Sequence, residues 1–471
     1  MRYFRNLAGT LTKVLLFALS VGLLFFLTAC VTFRDADPLP DGIHSKEEKE
    51  PSVETEIGTE KPEHDFKRPE TEMEKPEETP PMVEIYPEYE RTVSPEALEW
   101  IGWYENTYGE GSSEKVLLDR DGIRTLNRQM VADTPNMRDM SSLPDTMSGQ
   151  EVRDLIHKYE LPSDERYEDG QTLITSEMRE EVKHNRNQNE IPEAVEVRRA
   201  VVVERCDLKG FPTEKTFHKH GDRHYDSIQE TELLSSFPVA VVHTSADGNF
   251  VFVLSYFYSG WIPSDNIAYC TNEEYMLFAS PQDYVTVLAK MIECGGIRFD
   301  MGATLPYVTE DADTYTVRIP KRDAATGTLY LEEAVISKED AVRGSLDYSM
   351  KNYYRQAFLY LGTSYGWGGS GGGVDCSGFV CAVFRAFGIY LPRNTGEQSR
   401  HAGMILSLEN DPSGVLDTVD QPAAVYRPGH VMLYLGKKNG THYIIHAPQG
   451  GEQVCVASLS MANLTGVSIF S

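Results

Sequence analysis

The segment from residue 345 to 471 constrains the fold most, because a helical repeat is followed there by two strand-like runs. Directly after Cys376, apolar residues recur at helical spacing as far as Gly388, and a glycine-rich loop precedes the cysteine. This pattern predicts Cys376 in the first turn of a buried helix. Downstream, His430 opens one strand-like run and His446 closes the next, with a Lys-Lys-Asn-Gly turn between them. A hairpin of that kind carries both imidazoles to one end of a sheet.

The predicted position of Cys376 favours nucleophilic chemistry. Helix N-termini favour anions, so we expect the pKa of the Cys376 thiol to be lowered. A thiolate nucleophile needs an imidazole that shares its proton and a further group that orients the imidazole. His430 and His446 fit these roles, with His442 as an alternative orienting residue. Cys381, inside the apolar repeat, is interpreted as a core thiol. No metal is expected, because the Cys376 and histidine positions lack close ligand spacing.

Four ordered blocks between residues 365 and 447 carry a family resemblance. They are Tyr365-x-Trp367-Gly368-Gly369, Asp375-Cys376-Ser377-Gly378-Phe379, Gly429-His430-Val431-x-Leu433-Tyr434-Leu435-Gly436 and Ile445-His446-Ala447. Together they resemble the NlpC family of papain-like cell-wall cysteine peptidases. The resemblance implies an α+β fold in which a helix-borne cysteine packs on an antiparallel sheet. This chain departs from the family pattern at Asn394, where an acidic residue is usual, and lacks the usual Gly-Asp upstream of the base histidine.

The resemblance also implies a reaction. Family members cleave the γ-D-glutamyl to diamino-acid bond in peptidoglycan stem peptides. Carried over to this chain, Cys376 would be the nucleophile, His430 the base and then the acid, and His446 the residue that orients His430. The intermediate would be a thioacyl enzyme on Cys376, and no cofactor would be required.

The resemblance in the same blocks also implies roles in substrate binding for four further residues. Tyr365 would help to stabilise the oxyanion, and Trp367 belongs to the same block. Simple packing is the alternative reading of both aromatic residues. Asp375 and Ser377 would line the substrate side, with Asp375 facing a free amino terminus.

Residues 196–270 change to a period of two. The runs 237–242 and 250–254, joined by a turn with Asp247-Gly248, predict a hairpin. The unit resembles the bacterial SH3-like barrels appended to cell-wall enzymes, and residues 271–344 are predicted to form a second such barrel. Tyr258, at the end of the first barrel, is a candidate for facing the catalytic cleft and selecting unblocked stem peptides. An exposed aromatic residue with no such role is the alternative. Cys206 and Cys270 bracket the first barrel, and whether they pair stays open.

Residues 93–195 are predicted to be a mostly helical segment. Ser94-Pro95 has the form of an N-cap followed by a first helical residue, and Ser148-Gly149-Gln150-Glu151 has the form of a capping box. The segment resembles the N-terminal clip-like part of a multidomain lipoprotein subgroup.

The N-terminus predicts export. A positive start and an apolar run lead to Leu27-Thr28-Ala29-Cys30, so residues 1–29 resemble a lipoprotein signal peptide with lipidation at Cys30. An uncleaved signal anchor is the alternative. Residues 30–92 are rich in acidic residues and proline, which predicts a solvated tether. The expected location is a membrane-anchored lipoprotein of the periplasm or cell surface.

The sequence therefore favours an exported cysteine peptidase that hydrolyses peptidoglycan stem peptides or muropeptides. Two other hypotheses remain: an N-acetylmuramoyl-L-alanine amidase or acyltransferase that uses the same Cys-His pair, and a non-catalytic peptidoglycan-binding lipoprotein. A nucleic-acid partner is disfavoured, because the 471-residue chain has a formal net charge of −28.

Overall fold

The computed structural model describes residues 93–449 and 452–470. The predicted signal peptide, Cys30 and the predicted tether lie outside the described residues. Within the described part of the chain, no helix combines the length and apolar character needed to cross a membrane. The architecture has the predicted class, with a helical N-terminal segment, two β units and an α+β unit at the C-terminus. We name these the N-terminal segment (93–195), the first β unit (196–270), the second β unit (271–344) and the C-terminal unit (345–470).

The N-terminal segment is mostly helical, as predicted, and its cap residues explain where helices begin. The Ser94 side chain accepts a hydrogen bond from Ala97 N, and Ser148 and Glu151 form the predicted capping box. The elements are α1 (Pro95–Tyr108), α2 (Arg120–Asp133), β1 (Thr146–Ser148), α3 (Gly149–His157), β2 (Tyr167–Glu168), β3 (Thr172–Leu173), α4 (Ser176–His184) and β4 (Ala194–Glu196).

This segment divides its packing between two hydrophobic cores. Trp100 and Tyr104 of α1 are buried in the core of the C-terminal unit, where α1 packs on a helix of that unit. Val152 and Ile156 of α3 are instead buried in the core of the first β unit. The segment therefore ties the first β unit to the C-terminal unit.

The first β unit contains the predicted hairpin. Its strands are β5 (Arg198–Val202), β6 (Cys206–Lys209), β7 (Gln229–Leu233), β8 (Pro238–Thr244), β9 (Phe250–Leu254), β10 (Ser259–Pro263) and β11 (Ile267–Tyr269). They pair in the antiparallel order β11-β5-β8-β9-β10-β6-β7. Strand β9 lies in the middle of this order and is covered on both faces, which suits its five apolar residues, all of them buried. Gly248 supplies the positive φ of +74° that the turn requires. Cys206 and Cys270 are not joined.

The second β unit begins with a short helix and continues as antiparallel strands. Its elements are α5 (Asn272–Ala279), β12 (Tyr284–Val287), β13 (Met291–Cys294), β14 (Ile297–Asp300), β15 (Thr304–Glu310), β16 (Thr314–Arg322), β17 (Leu329–Ser337) and β18 (Ala341–Arg343). Five strands pair in the order β17-β16-β15-β12-β18, and β13 pairs with β14. The strands predicted on either side of Gly327 correspond to β16 and β17, which pair along their whole length.

The C-terminal unit places helices against a six-stranded antiparallel sheet. Its elements are α6 (Met350–Phe358), α7 (Cys376–Arg385), α8 (Thr395–His401), β19 (Met404–Ser407), α9 (Pro412–Leu416), β20 (Ala423–Arg427), β21 (His430–Lys438), β22 (Thr441–His446), β23 (Cys455–Ser458) and β24 (Gly466–Ile469). The strand order is β19-β24-β20-β21-β22-β23. Helix α7 packs on the central strand β21, and this contact joins the cysteine helix to the histidine hairpin.

Helix α1 is fitted to the C-terminal sheet at one close contact. Gly436 of β21 has a φ of +126°, and a Cβ atom there would lie 2.3 Å from the ring of Trp103. Glycine is therefore required twice at this position, for its backbone conformation and for the approach of the indole. Lys438 of the same strand forms an ion pair with Glu99 of α1.

Gly436→Ala is expected to destabilise the folded protein by about 2 to 4 kcal/mol, because backbone strain and overpacking against Trp103 add. Gly440→Ala is the matched control. Gly440 has a φ of +78° in the same hairpin but no atom within 4 Å of the added Cβ. Gly440→Ala should therefore lose only about 1 kcal/mol of stability, from backbone strain alone. Thermal unfolding of both variants measures the difference, and equal losses would contradict the proposed fit.

Candidate active site

The first turn of α7 holds Cys376, as the sequence predicts. Asp375 is the N-cap, and its carboxylate accepts a hydrogen bond of 2.7 Å from Gly378 N. The thiol therefore lies beside the unpaired N–H groups at the positive end of the helix dipole. The Cys376 side chain is deeply buried, with its Sγ 3.7 Å from Oγ1 of Thr395. Thr395 begins α8 and was not among the residues singled out from the sequence.

A buried network holds the start of α7 in place. Arg393 forms an ion pair with Asp375 and donates a hydrogen bond of 2.9 Å to Ser377 Oγ. Burial alone would lower the pKa of Arg393, but the facing Asp375 carboxylate raises it overall. Arg393 Nε also donates to Thr231 Oγ1 of β7, at 2.7 Å. Asp375 and Ser377 thus have structural partners, and their predicted role toward the substrate stays a prediction.

The two predicted histidines meet at the end of the β21–β22 hairpin. His430 Nε2 lies 2.8 Å from His446 Nδ1. Cys376 belongs to the same buried cluster as Val431 and Ala447, the chain neighbours of these two histidines. The hairpin turn at Asn439 and Gly440 has the positive φ angles that bring the strands back together. The helix-borne thiol and the sheet-borne imidazole pair therefore share one region of the core.

Burial keeps both imidazoles of this pair neutral. It lowers the pKa of His430 to about 3, with further lowering by His446 and Arg427. It also lowers the pKa of His446 to about 4, again with a contribution from Arg427. A neutral imidazole has a free ring nitrogen that accepts a proton. Because His430 uses Nε2 toward His446, its Nδ1 is the nitrogen left for proton transfer.

The alternative prediction, that His442 orients His430, is wrong, because His446 makes that contact. Its Nδ1 lies 2.7 Å from the Tyr434 hydroxyl, and its Nε2 lies 3.4 Å from Ser413 Oγ and 3.4 Å from Asp417. These contacts place the buried His442 ring in a separate polar group next to α9, in which Ser413 and Asp417 are exposed.

The glycine-rich loop before Cys376 is docked on the first β unit. Trp367 Nε1 donates a hydrogen bond of 2.9 Å to Gln229 O, and its ring lies 4.2 Å from that of Tyr225. Gly368 N donates to Asp375 Oδ2 at 2.9 Å, so the loop and the helix cap share one carboxylate. Tyr365 forms a β-bridge with Val374, two residues before Cys376.

Family models match two parts of the chain. The NlpC/P60 family model matches residues 362–466, and an SH3 domain model of the SH3b1 type matches residues 214–263. Residues 362–466 form an NlpC/P60 domain. This family is one of cysteine peptidases, so the family predicted for this part of the chain and the predicted fold class are confirmed. The SH3 match falls within the first β unit.

Individual relatives agree with the family models. A Bacillus cereus protein named gamma-D-glutamyl-L-lysine dipeptidyl-peptidase is 27% identical over 215 residues, which cover 43% of this chain and 60% of that protein. A Bacillus subtilis protein of the same name is 34% identical over 103 residues, or 22% of this chain and 33% of that protein. The chain thus spans less than two thirds of either relative.

The solved structures add a match at the level of the fold. An NlpC/P60 endopeptidase from Photobacterium damselae subsp. piscicida matches with a TM-score of 0.64 and 20% identity, covering 78% of this chain and 96% of that one. At this level of identity the likeness concerns the fold alone.

The first β unit contributes a buried acid next to the NlpC/P60 domain. The Tyr258 hydroxyl donates a hydrogen bond to Glu230, and Tyr258 is only 1% exposed, so the alternative of an exposed aromatic residue is wrong. Burial raises the pKa of Glu230 to about 7, although Tyr258 and Lys158 oppose the shift. Lys158 Nζ, from the N-terminal segment, lies 5.0 Å from the centre of the Tyr258 ring. Sequence reasoning missed Glu230, whose only signal was its place in a polar run on a strand.

The neutral histidine pair predicts a loss of stability in acid. An unfolded histidine binds a proton below about pH 6.5, whereas His430 and His446 stay neutral until about pH 3 and 4. The unfolded state therefore binds more protons as the pH falls, and stability is lost below about pH 6.5, by about 2 kcal/mol per group at pH 5.

Thermal unfolding at pH 7.5 and pH 5 measures this loss. Changing both His430 and His446 to Gln should reduce the acid-induced drop in the unfolding midpoint. His220→Gln, which removes an exposed imidazole, should leave the drop as it is in the parent protein. An unchanged drop in the double variant would contradict the neutral buried pair.

Proposed function

We propose that this protein is a cysteine peptidase that hydrolyses peptidoglycan stem peptides. The observation that carries the proposal is the placement of Cys376 at the N-terminus of α7, packed on the strand whose first residue is His430, which contacts His446 at 2.8 Å. A thiol, a base and an orienting group are the parts that covalent acyl transfer requires. The family of the domain supports the same reaction class.

The proposed reaction begins with transfer of the Cys376 proton to His430. The Sγ atom attacks the scissile carbonyl carbon, and the resulting oxyanion collapses as the amine leaves with the proton from His430. A water molecule then gives a proton to His430 and attacks the thioacyl carbon, which releases the acid product and restores the thiol. His446 Nδ1 accepts the Nε2–H of His430 throughout. Tyr365 is the proposed oxyanion donor.

The proposed bond is the one between γ-D-glutamate and the diamino acid. This finer assignment is supported by the two Bacillus relatives, whose names specify a gamma-D-glutamyl-L-lysine dipeptidyl-peptidase. Stem peptides supply such a bond, and an SH3 domain next to the catalytic domain fits a cell-wall substrate.

The surroundings of Cys376 favour short peptides over intact cell wall. Cys376 is only 3% exposed. Glu230 and Tyr258 of the first β unit are buried and hydrogen-bonded to each other, and Trp367 of the glycine-rich loop is docked on that unit. Asn136 of the N-terminal segment donates a hydrogen bond to Glu397 of α8. We propose that this packing leaves room for a short peptide only. We propose that Tyr258 and Asp375 face the amino terminus of the substrate. A free ammonium would be attracted to the acidic groups on this side, whereas a blocked terminus would not.

The same proposal includes a location. Lipidation at Cys30 after removal of residues 1–29 would anchor the protein to a membrane, and residues 30–92 would let the described part of the chain reach peptides beyond the lipid surface. Labelling with a fatty-acid analogue, with Cys30→Ala as the control, tests this part separately.

Mass spectrometry of stem peptides and muropeptides after incubation with the protein tests the reaction. We expect cleavage between D-glutamate and the diamino acid, faster on peptides with a free amino terminus than on blocked ones, and a loss of at least about a thousandfold in Cys376→Ala. Cys381→Ala is the matched control. Its thiol lies five residues further along α7 and donates a hydrogen bond of 3.4 Å to Pro392 O.

Other outcomes reassign the function. A different bond cut by the parent protein and spared by Cys376→Ala identifies an amidase or acyltransferase. Retention on peptidoglycan without cleavage of any substrate, by folded protein, contradicts the peptidase and favours a wall-binding protein.

A further inference from the structure

A cavity lies where the two β units meet the NlpC/P60 domain. Its volume is about 80 Å³, which is room for several water molecules. The first β unit contributes Arg205 and Glu232, and the second contributes Lys290 and Arg298. The NlpC/P60 domain supplies the glycine-rich loop and the buried side of α7. Neither Cys376 nor the histidine pair lines the cavity, so it is distinct from the proposed catalytic groups, although Asp375 borders both.

The lining of this cavity carries a surplus of positive charge. Its cationic residues are Arg205, Lys290, Arg298, Arg385 and Arg393, and its carboxylates are Glu232, Asp300 and Asp375. Arg205 pairs with Glu232 and Asp300, Arg298 shares Asp300, and Arg393 pairs with Asp375. Five cations thus face three carboxylates, in a chain whose net charge is −28.

The surplus falls on two residues at different depths. Arg385 is only 8% exposed. Its side chain interacts with the Tyr256 hydroxyl and the Phe237 ring, but among the described residues its Nε has no hydrogen-bond partner and its guanidinium pairs with no carboxylate. Lys290 lies at the mouth, where Nζ donates a hydrogen bond to Thr363 Oγ1 at 3.2 Å and forms no ion pair with any residue that the structure describes. A buried cation without a counter-ion is unfavourable, so the arrangement favours an anionic ligand.

The cavity is open to small solutes on the side of the second β unit. Lys290 is exposed, and 38% of the Arg298 side chain is accessible to solvent. Arginine forks match the oxygen atoms of carboxylate and phosphate groups, and lysine adds a third donor. A ligand entering here meets Lys290 and Arg298 first and Arg385 deeper in the cavity.

We propose that this junction cavity binds an oxyanion group, a carboxylate or a phosphate, of a small molecule. The bound anion neutralises the surplus charge of Lys290 and Arg385 and joins the two β units to the NlpC/P60 domain. It also lies against the loop that leads to Cys376, since Arg205 donates a hydrogen bond of 3.2 Å to Gly369 O. The proposal does not depend on the reaction at Cys376.

Isothermal titration calorimetry of the full chain tests the proposal, with inorganic phosphate and acetate as separate probes at an ionic strength fixed by sodium chloride. We expect saturable one-site binding of at least one probe, and the probe that binds identifies the group. Lys290→Gln and Arg298→Gln should each weaken binding about tenfold, because each removes one charged hydrogen bond. Both residues lie at the exposed mouth, so the fold is expected to persist.

Arg318→Gln is the matched control, since Arg318 is exposed on β16 of the same unit and does not line the cavity. It should leave the affinity unchanged. Absence of saturable binding for both probes overturns the proposal. Binding that is equally strong in the parent protein, Lys290→Gln and Arg298→Gln also overturns it, because the anion would then bind elsewhere.

Discussion

The buried ion pair between Asp375 and Arg393 is the interaction on which the site depends. One carboxylate caps α7 through Gly378 N, receives a hydrogen bond from Gly368 N of the glycine-rich loop and binds the Arg393 guanidinium. Arg393 then reaches Thr231 of the first β unit. Removing one partner of a buried pair leaves an uncompensated charge and typically costs about 3 to 5 kcal/mol. The position of Cys376 therefore depends on contacts from three parts of the chain.

The histidine pair sets the chemistry available to that cysteine. In many hydrolytic sites a carboxylate orients the base and stabilises its protonated form. Here a neutral imidazole takes that place, and burial keeps both rings uncharged in the resting protein. Because no acidic residue in the described part of the chain pairs with either imidazole, the protonated state of His430 is expected to be short-lived. Such a base releases its proton readily to a leaving amine.

Much of this site is predictable from local sequence, because local patterns fix local structure. Asp375 before an apolar helical repeat predicts both the cap and the place of Cys376, and the turn at Asn439-Gly440 predicts the hairpin that joins His430 to His446. The capping box at Ser148 is likewise present. In each case the interacting residues are close in sequence or belong to one hairpin.

Contacts between distant segments escaped prediction for the same physical reason. Thr395 contacts Cys376 because α8 folds against α7, and Glu230 comes near the NlpC/P60 domain because β7 packs on the glycine-rich loop. The spacing of apolar residues along the sequence gives no information on such contacts. The fit of Trp103 to Gly436 depends on the docking of two elements that are far apart in the chain. The sequence predicts one helical segment over 93–195, but the apolar residues of α1 and of α3 are buried in two different hydrophobic cores. The positive charge of the junction cavity also could not be predicted, because its cations come from segments that are far apart in the sequence.

The most direct test of the proposed function is the rate at which iodoacetamide alkylates Cys376 at pH 7, because the proposal requires an activated thiol at the start of α7. Peptide mass spectrometry separates its modification from that of Cys381, whose thiol pKa is raised by burial. We predict that Cys376 is alkylated rapidly, that Cys381 in the same helix stays unmodified, and that His430→Ala slows the reaction of Cys376. Equal and slow alkylation of both cysteines in the folded protein would contradict an activated nucleophile at the start of α7.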